Sequence, residues 1–232
     1  MGCGTSIVLA PQQPPTGSYL FGTATDGEAT FTMPEYEKSK PGNVLPLSLD
    51  GRTIAQIDGR SFKKKSTSST AEMLAHLTPV KGADGKLIAL VQPIPIIQPS
   101  QTGMFECSSN ILSAVPRVDG LNSAMEHDGV ALYPWAAVSP KMSWTSQFSA
   151  DIQLATPGGF ERFATLEFTA VMGNTQMYAG VLKLTDGTAV AEFERAGGGT
   201  SYTTAAGVDV GLFVAAHVAS VKIMRDSIVG GA

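Results

Sequence analysis

Charge is scarce in this sequence. Asp, Glu, Lys and Arg make up 16% of its 232 residues, against roughly a quarter in an average soluble domain. The balance is slightly acidic, with a formal net charge of −4 and a pI near 5.4. The whole chain therefore offers no attractive field to nucleic acid or an anionic membrane. Its one basic run, Lys63-Lys64-Lys65, reads as a solvated loop, with a phosphate-binding patch as the alternative. Cysteine is rarer still, with two residues. Cys3 and Cys107 are too few for a disulfide framework and form no C-x-x-C pair, which leaves free thiols or a single Cys3–Cys107 bridge. Long apolar runs are missing too: Ile7-Val8-Leu9-Ala10 stops at Pro11, unlike the core of a signal peptide, and Val208 to Met224 is interrupted by Asp209, His217 and Lys222. No Asn-x-Ser/Thr acceptor occurs. The expectation is an intracellularly made, non-glycosylated protein without a membrane span.

Catalytic signatures are absent as well. The sequence holds no G-x-S-x-G, H-E-x-x-H, Walker A loop or G-x-G-x-x-G. Gly82-Ala83-Asp84-Gly85-Lys86-Leu87 mimics a phosphate loop with too short a spacing, and reads as a turn between strands. Glu126-His127-Asp128 is the densest group of metal-ligand types, but it precedes Gly129 in a turn-like context and would need ligands from elsewhere. His76 and His217 read as packed or rim histidines. Glu167, Glu192 and Glu194 fall on the polar face of a sheet; a glycoside-hydrolase carboxylate pair is the competing reading, without positive support. Catalytic, cofactor and metal residues are accordingly assigned to none, and the chain is read as a non-enzyme.

What is present is strand and turn. Phe163 to Arg195 reads as three successive antiparallel strands centred on Leu184-Thr185-Asp186-Gly187-Thr188-Ala189, where Asp-Gly predicts a two-residue type I′ turn. That turn sets Leu184 opposite Ala189, Leu182 opposite Ala191, Gly180 opposite Phe193 and Tyr178 opposite Arg195, with Lys183 diagonal to Glu192. Upstream, Phe148 to Leu154 and Ala164 to Met172 alternate with the period of half-buried strands. Downstream, Val208, Val210, Leu212, Val214, Ala216 and Val218 keep one face before the parity changes at Val221 and Ile223. β-branched enrichment favours a strand with a bulge there, over an amphipathic helix from Gly211 to Met224.

The N-terminal half is less regular. Met1-Gly2-Cys3-Gly4-Thr5-Ser6 fits the myristoylation pattern, the plain alternative being an N-terminal arm, and the prolines from Pro11 to Pro15 hold the chain extended. Tyr19 to Met33 reads as a hairpin, and Val44 to Gly59 as two short strands with Asp-Gly turns. One short helix is expected near 70–78, capped by Ser69 with Glu72 and stopped by Pro79. In Gln92-Pro93-Ile94-Pro95-Ile96-Ile97-Gln98-Pro99 the recurring prolines argue against both helix and central strand. Such a charge-poor segment suits lying along another surface. Tyr133, Trp135 and Trp144 are the candidate ligand or interface aromatics, as a platform for sugar rings or as ordinary core and subunit contact.

The texture of the chain, with Thr/Ala/Gly-rich short strands, an extended arm and a charge-poor centre, loosely resembles accessory capsid or tail proteins of tailed bacteriophages. The resemblance rests on no motif. It implies a non-enzymatic structural subunit of a virion, made in a host cytoplasm, whose partners are other copies of itself or other structural subunits. A carbohydrate- or receptor-binding β-sandwich module is the alternative. The expected architecture is all-β and mainly antiparallel: an extended arm and hairpin over 1–42, a β-rich, Pro-rich region over 43–141, and a C-terminal β-sandwich or jelly roll over 142–232.

Overall fold

The computed structural model describes residues 7–12, 17–21, 25–40, 42–59, 77–99, 105–141, 147–170 and 177–229. The strands are β1 (Ala29–Pro34), β2 (Val44–Leu49), β3 (Arg52–Asp58), β4 (Thr78–Gly82), β5 (Leu87–Pro99), β6 (Phe105–Ser113), β7 (Met125–His127), β8 (Val130–Lys141), β9 (Gln147–Thr156), β10 (Gly159–Ala170), β11 (Met177–Leu184), β12 (Ala189–Ala196) and β13 (Gly199–Thr204). A 3-10 turn covers Tyr36–Lys38, and one helix, α1 (Val210–Val229), ends the described chain.

Every pairing is antiparallel, and neighbours follow the order β6-β5-β4-β3-β2-β1-β13-β12-β11-β10-β9-β8-β7. A further pairing of β6 with β8, from Ser109 opposite Val138 to Ser113 opposite Tyr133, joins the two sides of that sheet. Twelve strands thus close into a barrel, and β7 hangs on β8 as a short hairpin. The expected β-sandwich or jelly roll is not formed. β1 lies between β2 and β13, so the first of the described strands bridges the N-terminal half to the strands after 142. Nor do Tyr19–Phe21 pair with β1 as a hairpin; its partners are β2 and β13.

A barrel of this many strands encloses more space than its own inward side chains fill. α1 occupies that space. Its residues from Val210 to Lys222 are buried on all sides, against inward wall residues such as Phe31, Leu47, Ile57, Val91, Ile111, Val138, Ile152, Leu166 and Phe193. Small inward residues, among them Ala55, Ala89, Ala150, Ala164 and Ala191, leave room for a cylinder about 10 Å across. The strand expected from Val208 to Met224 is therefore a helix. Period-based reading fails there because a helix wrapped by a barrel has no polar face, so its apolar pattern carries no 3.6-residue period. Asp209 supplies the start signal, its Oδ1 accepting the Leu212 N–H at 3.0 Å. The short helix expected near 70–78 lies almost wholly outside the described residues, as do Lys63-Lys64-Lys65, Cys3 and Trp144.

The hairpin of β11 and β12 keeps most of its expected register, with Gly180 opposite Phe193 and Leu182 opposite Ala191. A Cβ on Gly180 would lie 2.3 Å from Phe193 Cε1, so the ring sits directly over the glycine. The turn differs. A bulge places Lys183 opposite Ala189, the Gly187 N–H bonds to Leu184 O at 2.9 Å, and Gly187 but not Asp186 has a positive φ. This is a type I turn closed by a left-handed glycine, not type I′. Lys183 turns to β10, where its Nζ lies 2.6 Å from Glu167 Oε2, instead of to Glu192. Asp50-Gly51 and Asp128-Gly129, with both φ angles positive, do adopt the primed geometry.

The proline-rich segment is also corrected: it is the outer half of β5, paired with β6 through Pro93 opposite Ser109 and Pro95 opposite Cys107. Ile88 O accepts the Ala114 N–H beyond the end of β6, so even-numbered residues of β5 address β6 and Pro93 and Pro95 face the other edge. Among the described residues β4 begins at Thr78, opposite Val91 and short of Pro93 and Pro95. Prolines are tolerated in a strand where no N–H is wanted.

Candidate functional site

Taking the end where α1 starts as the lower end, the barrel carries its ionisable interior nearer the upper end, where α1 meets β13, β4 and the 3-10 turn. His217 of α1 is buried; its Nδ1 lies 2.6 Å from the Tyr202 hydroxyl, and its ring stacks on Phe193 at a centroid distance of 4.3 Å. On its other side Nε2 lies 3.7 Å from Glu37 Oε1. The carboxylate beside Nε2 favours a proton on that nitrogen, which makes Nδ1 the acceptor of the Tyr202 O–H. Five residues on, Lys222 Nζ donates to Thr78 Oγ1 at 2.5 Å, and Thr78 Oγ1 is 3.1 Å from the Tyr36 hydroxyl. Tyr36, Glu37, Thr78, Tyr202, His217 and Lys222 are all buried.

Local sequence explains this placement. The turn Tyr36–Lys38 between β1 and β2 carries Tyr36 and Glu37 inward, while Ser39 Oγ donates to Tyr36 O at 2.6 Å and closes it. Next to it Arg195 Nη2 donates to Glu35 Oε2, Lys38 Nζ lies 2.9 Å from the same oxygen, and the Arg195 guanidinium stands 5.8 Å from the Tyr178 ring centre. Burial pushes the Glu37 carboxyl up, but His217 and backbone N–H donors outweigh it and hold the group below the usual carboxylate range. Burial, aided by the Glu37 charge, pushes the Tyr202 phenol well above its ordinary value. Tyr202 therefore stays a neutral donor. The arrangement ties helix to wall, and all six of its side chains are buried.

Another buried carboxylate stands at the foot of the helix. Asp209 Oδ2 accepts the Leu20 N–H at 2.9 Å while Oδ1 caps α1. Burial raises its pKa to about 6 against the pull of those hydrogen bonds.

The aromatics singled out from sequence do not form one exposed platform. Trp135 is buried within the barrel, Tyr133 is half-buried on β8, and Trp144 lies outside the described residues. Glu126 and His127 belong to β7, with exposed Asp128 in the turn that follows, its Oδ2 3.6 Å from His127 Nε2. Among the described residues no group of three or more His, Cys, Asp or Glu could hold a metal ion, and no helix is long and apolar enough to cross a membrane. His76 lies outside the described residues. Sequence reading passed over Tyr36, Glu37, Thr78 and Lys222. The available signal was His217 and Lys222 standing inside an otherwise apolar stretch, two polar groups that a buried helix must match with partners on its wall. No protein-family model matches the chain, and neither curated proteins nor solved structures gave a match.

Proposed function

We propose that this chain is a non-enzymatic structural subunit, a capsid or tail component of a virion, making contacts with other copies of itself or with other structural subunits. The observation that carries the reading is the barrel filled by its own helix, whose wall and helix are tied together by His217, Tyr202, Glu37, Lys222 and Thr78. An interior used in this way serves as scaffold, and interaction falls to the outside. The low charge of the chain favours covering that outside, because few ion solvation shells need removing on contact. The alternative, a carbohydrate- or receptor-binding module, loses support where Trp135 faces inward. Light scattering on the purified protein across a concentration series tests the proposal. A defined oligomer supports it; a monomer at every concentration whose tryptophan fluorescence responds to a sugar overturns it.

A further inference from the structure

We propose that the N-terminal strap, Ile7 to Gln12, is exchanged between copies of this chain, the strap of one copy seating on the lower barrel mouth of another; this rests on the assembly reading above. The strap crosses the lower ends of β12 and β13. The Ala10 N–H donates to Ala189 O and the Gln12 N–H to Ala206 O, each at 2.9 Å. Its seat is shaped by Gly207, whose positive φ of 78° suits glycine and where a Cβ would stand 2.1 Å from Gln12 O. Leu9 packs against the end of the core. The strap bonds through main-chain atoms that every copy presents identically, so the seat of one copy accepts the strap of another as it accepts its own. Exchange of an identical element is a low-cost route to a symmetric dimer.

The chain just after the strap is fastened separately. The Ser18 N–H donates to Arg117 O, the Leu20 N–H to Asp209 Oδ2, and the Tyr19 hydroxyl to Gly207 O. A strap that leaves its own seat therefore leaves Ser18 to Leu20 still holding the mouth. The seated strap also keeps apolar surface in water: Val8 is 87% exposed and Ile7 41%. Val115, 59% exposed, follows the end of β6, and Phe160, 45% exposed, stands at the start of β10, both at the same lower end. Exchange would bring two lower ends together and give these side chains something to cover them.

The test uses full-length chains in which Cys3→Ser and Cys107→Ser remove the native thiols. One chain carries Val8→Cys and the other Thr188→Cys; they are mixed at the concentrations used for light scattering and treated with a short bismaleimide. A covalent heterodimer joining positions 8 and 188 is the expected product, and adding Gly207→Ala to the Thr188→Cys chain should cut its yield at least fivefold with the far-ultraviolet β signal unchanged. A defined oligomer without the 8–188 link overturns exchange while leaving the assembly reading intact. An equal yield with Gly207→Ala marks the link as random collision and also overturns exchange. A monomer at every concentration overturns exchange, and overturns the assembly reading as well where its tryptophan fluorescence responds to a sugar.

Discussion

At the scale of single residues, the molecule depends on pairs that tolerate loss of neither partner. Gly180 and Phe193 are one such pair, for the ring occupies the space a Cβ would need. Gly180→Ala should lower stability by about 1–3 kcal/mol, as overpacking of a close-packed wall does, and adding Phe193→Leu should recover part of that loss; urea midpoints for the two single variants and the double variant decide it. The buried polar group follows a different rule. Tyr202→Phe keeps the ring against Phe213 but leaves His217 Nδ1 facing carbon in place of a hydroxyl at 2.6 Å. An unsatisfied buried acceptor costs about 1–3 kcal/mol, so the expected result is a variant that folds with a lowered urea midpoint. An unchanged midpoint would mean that the Tyr202 bond adds nothing to stability. The glycine–aromatic pair was legible in the sequence because the hairpin register reaches it through local turn chemistry. The polar group was not, since Glu37, Thr78, Tyr202 and His217 come from four elements and no local spacing relates them.

At the scale of elements, α1 is where local pattern and structure disagree most. Its Val residues follow strand preference while Ala215, Ala216 and Ala219 favour helix, and enclosure on all sides settles the segment as a helix. What sequence does specify is the start, through Asp209, and that start carries a charge at a cost. With a pKa raised to about 6 in the folded protein against roughly 3.9 when unfolded, Asp209 keeps its proton in the native state over a range where the unfolded chain has released it. The native state then binds more protons, so this group's contribution to stability falls as pH rises from about 4 to about 6, by roughly 1.4 kcal/mol for each unit. Glu37 acts with the opposite sign: its lowered pKa gives stability that is present above the unfolded carboxyl value and lost as pH falls through the folded one. Asp209→Asn retains an oxygen to cap Leu212 and removes the titration. Stability measured by urea at pH 4, 5 and 6 should therefore rise with pH more steeply in the variant than in the wild type. Parallel curves would mean that Asp209 ionises normally and that its burial is not felt.

At the scale of the whole molecule, the decisive contacts are the ones furthest apart in sequence. Individual hairpins can be read from Asp-Gly turns and alternation, but β1 against β13 and β6 against β8 join strands that no turn connects. Sheet strands in sequence look alike whether they end in a sandwich or close on themselves, and a division near 142 looked reasonable for that reason. Closure makes the division physically costly. A chain ending at 141 would lack the β9 partner of β8, the β13 partner of β1 and the helix that fills the bore. A chain starting at 142 would hold α1 without β4, β5 and β6 to bury it. Each half would expose the apolar face the other covers, and neither could close, since closure needs strands from both. Residues 1–141 and 142–232, made separately, should thus be unfolded or aggregated, and mixing them from denaturant should restore native far-ultraviolet circular dichroism and one cooperative urea transition. A stable, soluble 142–232 fragment with its own cooperative unfolding would show that the C-terminal strands form an independent unit, and would overturn the requirement that the barrel folds around its helix as one body.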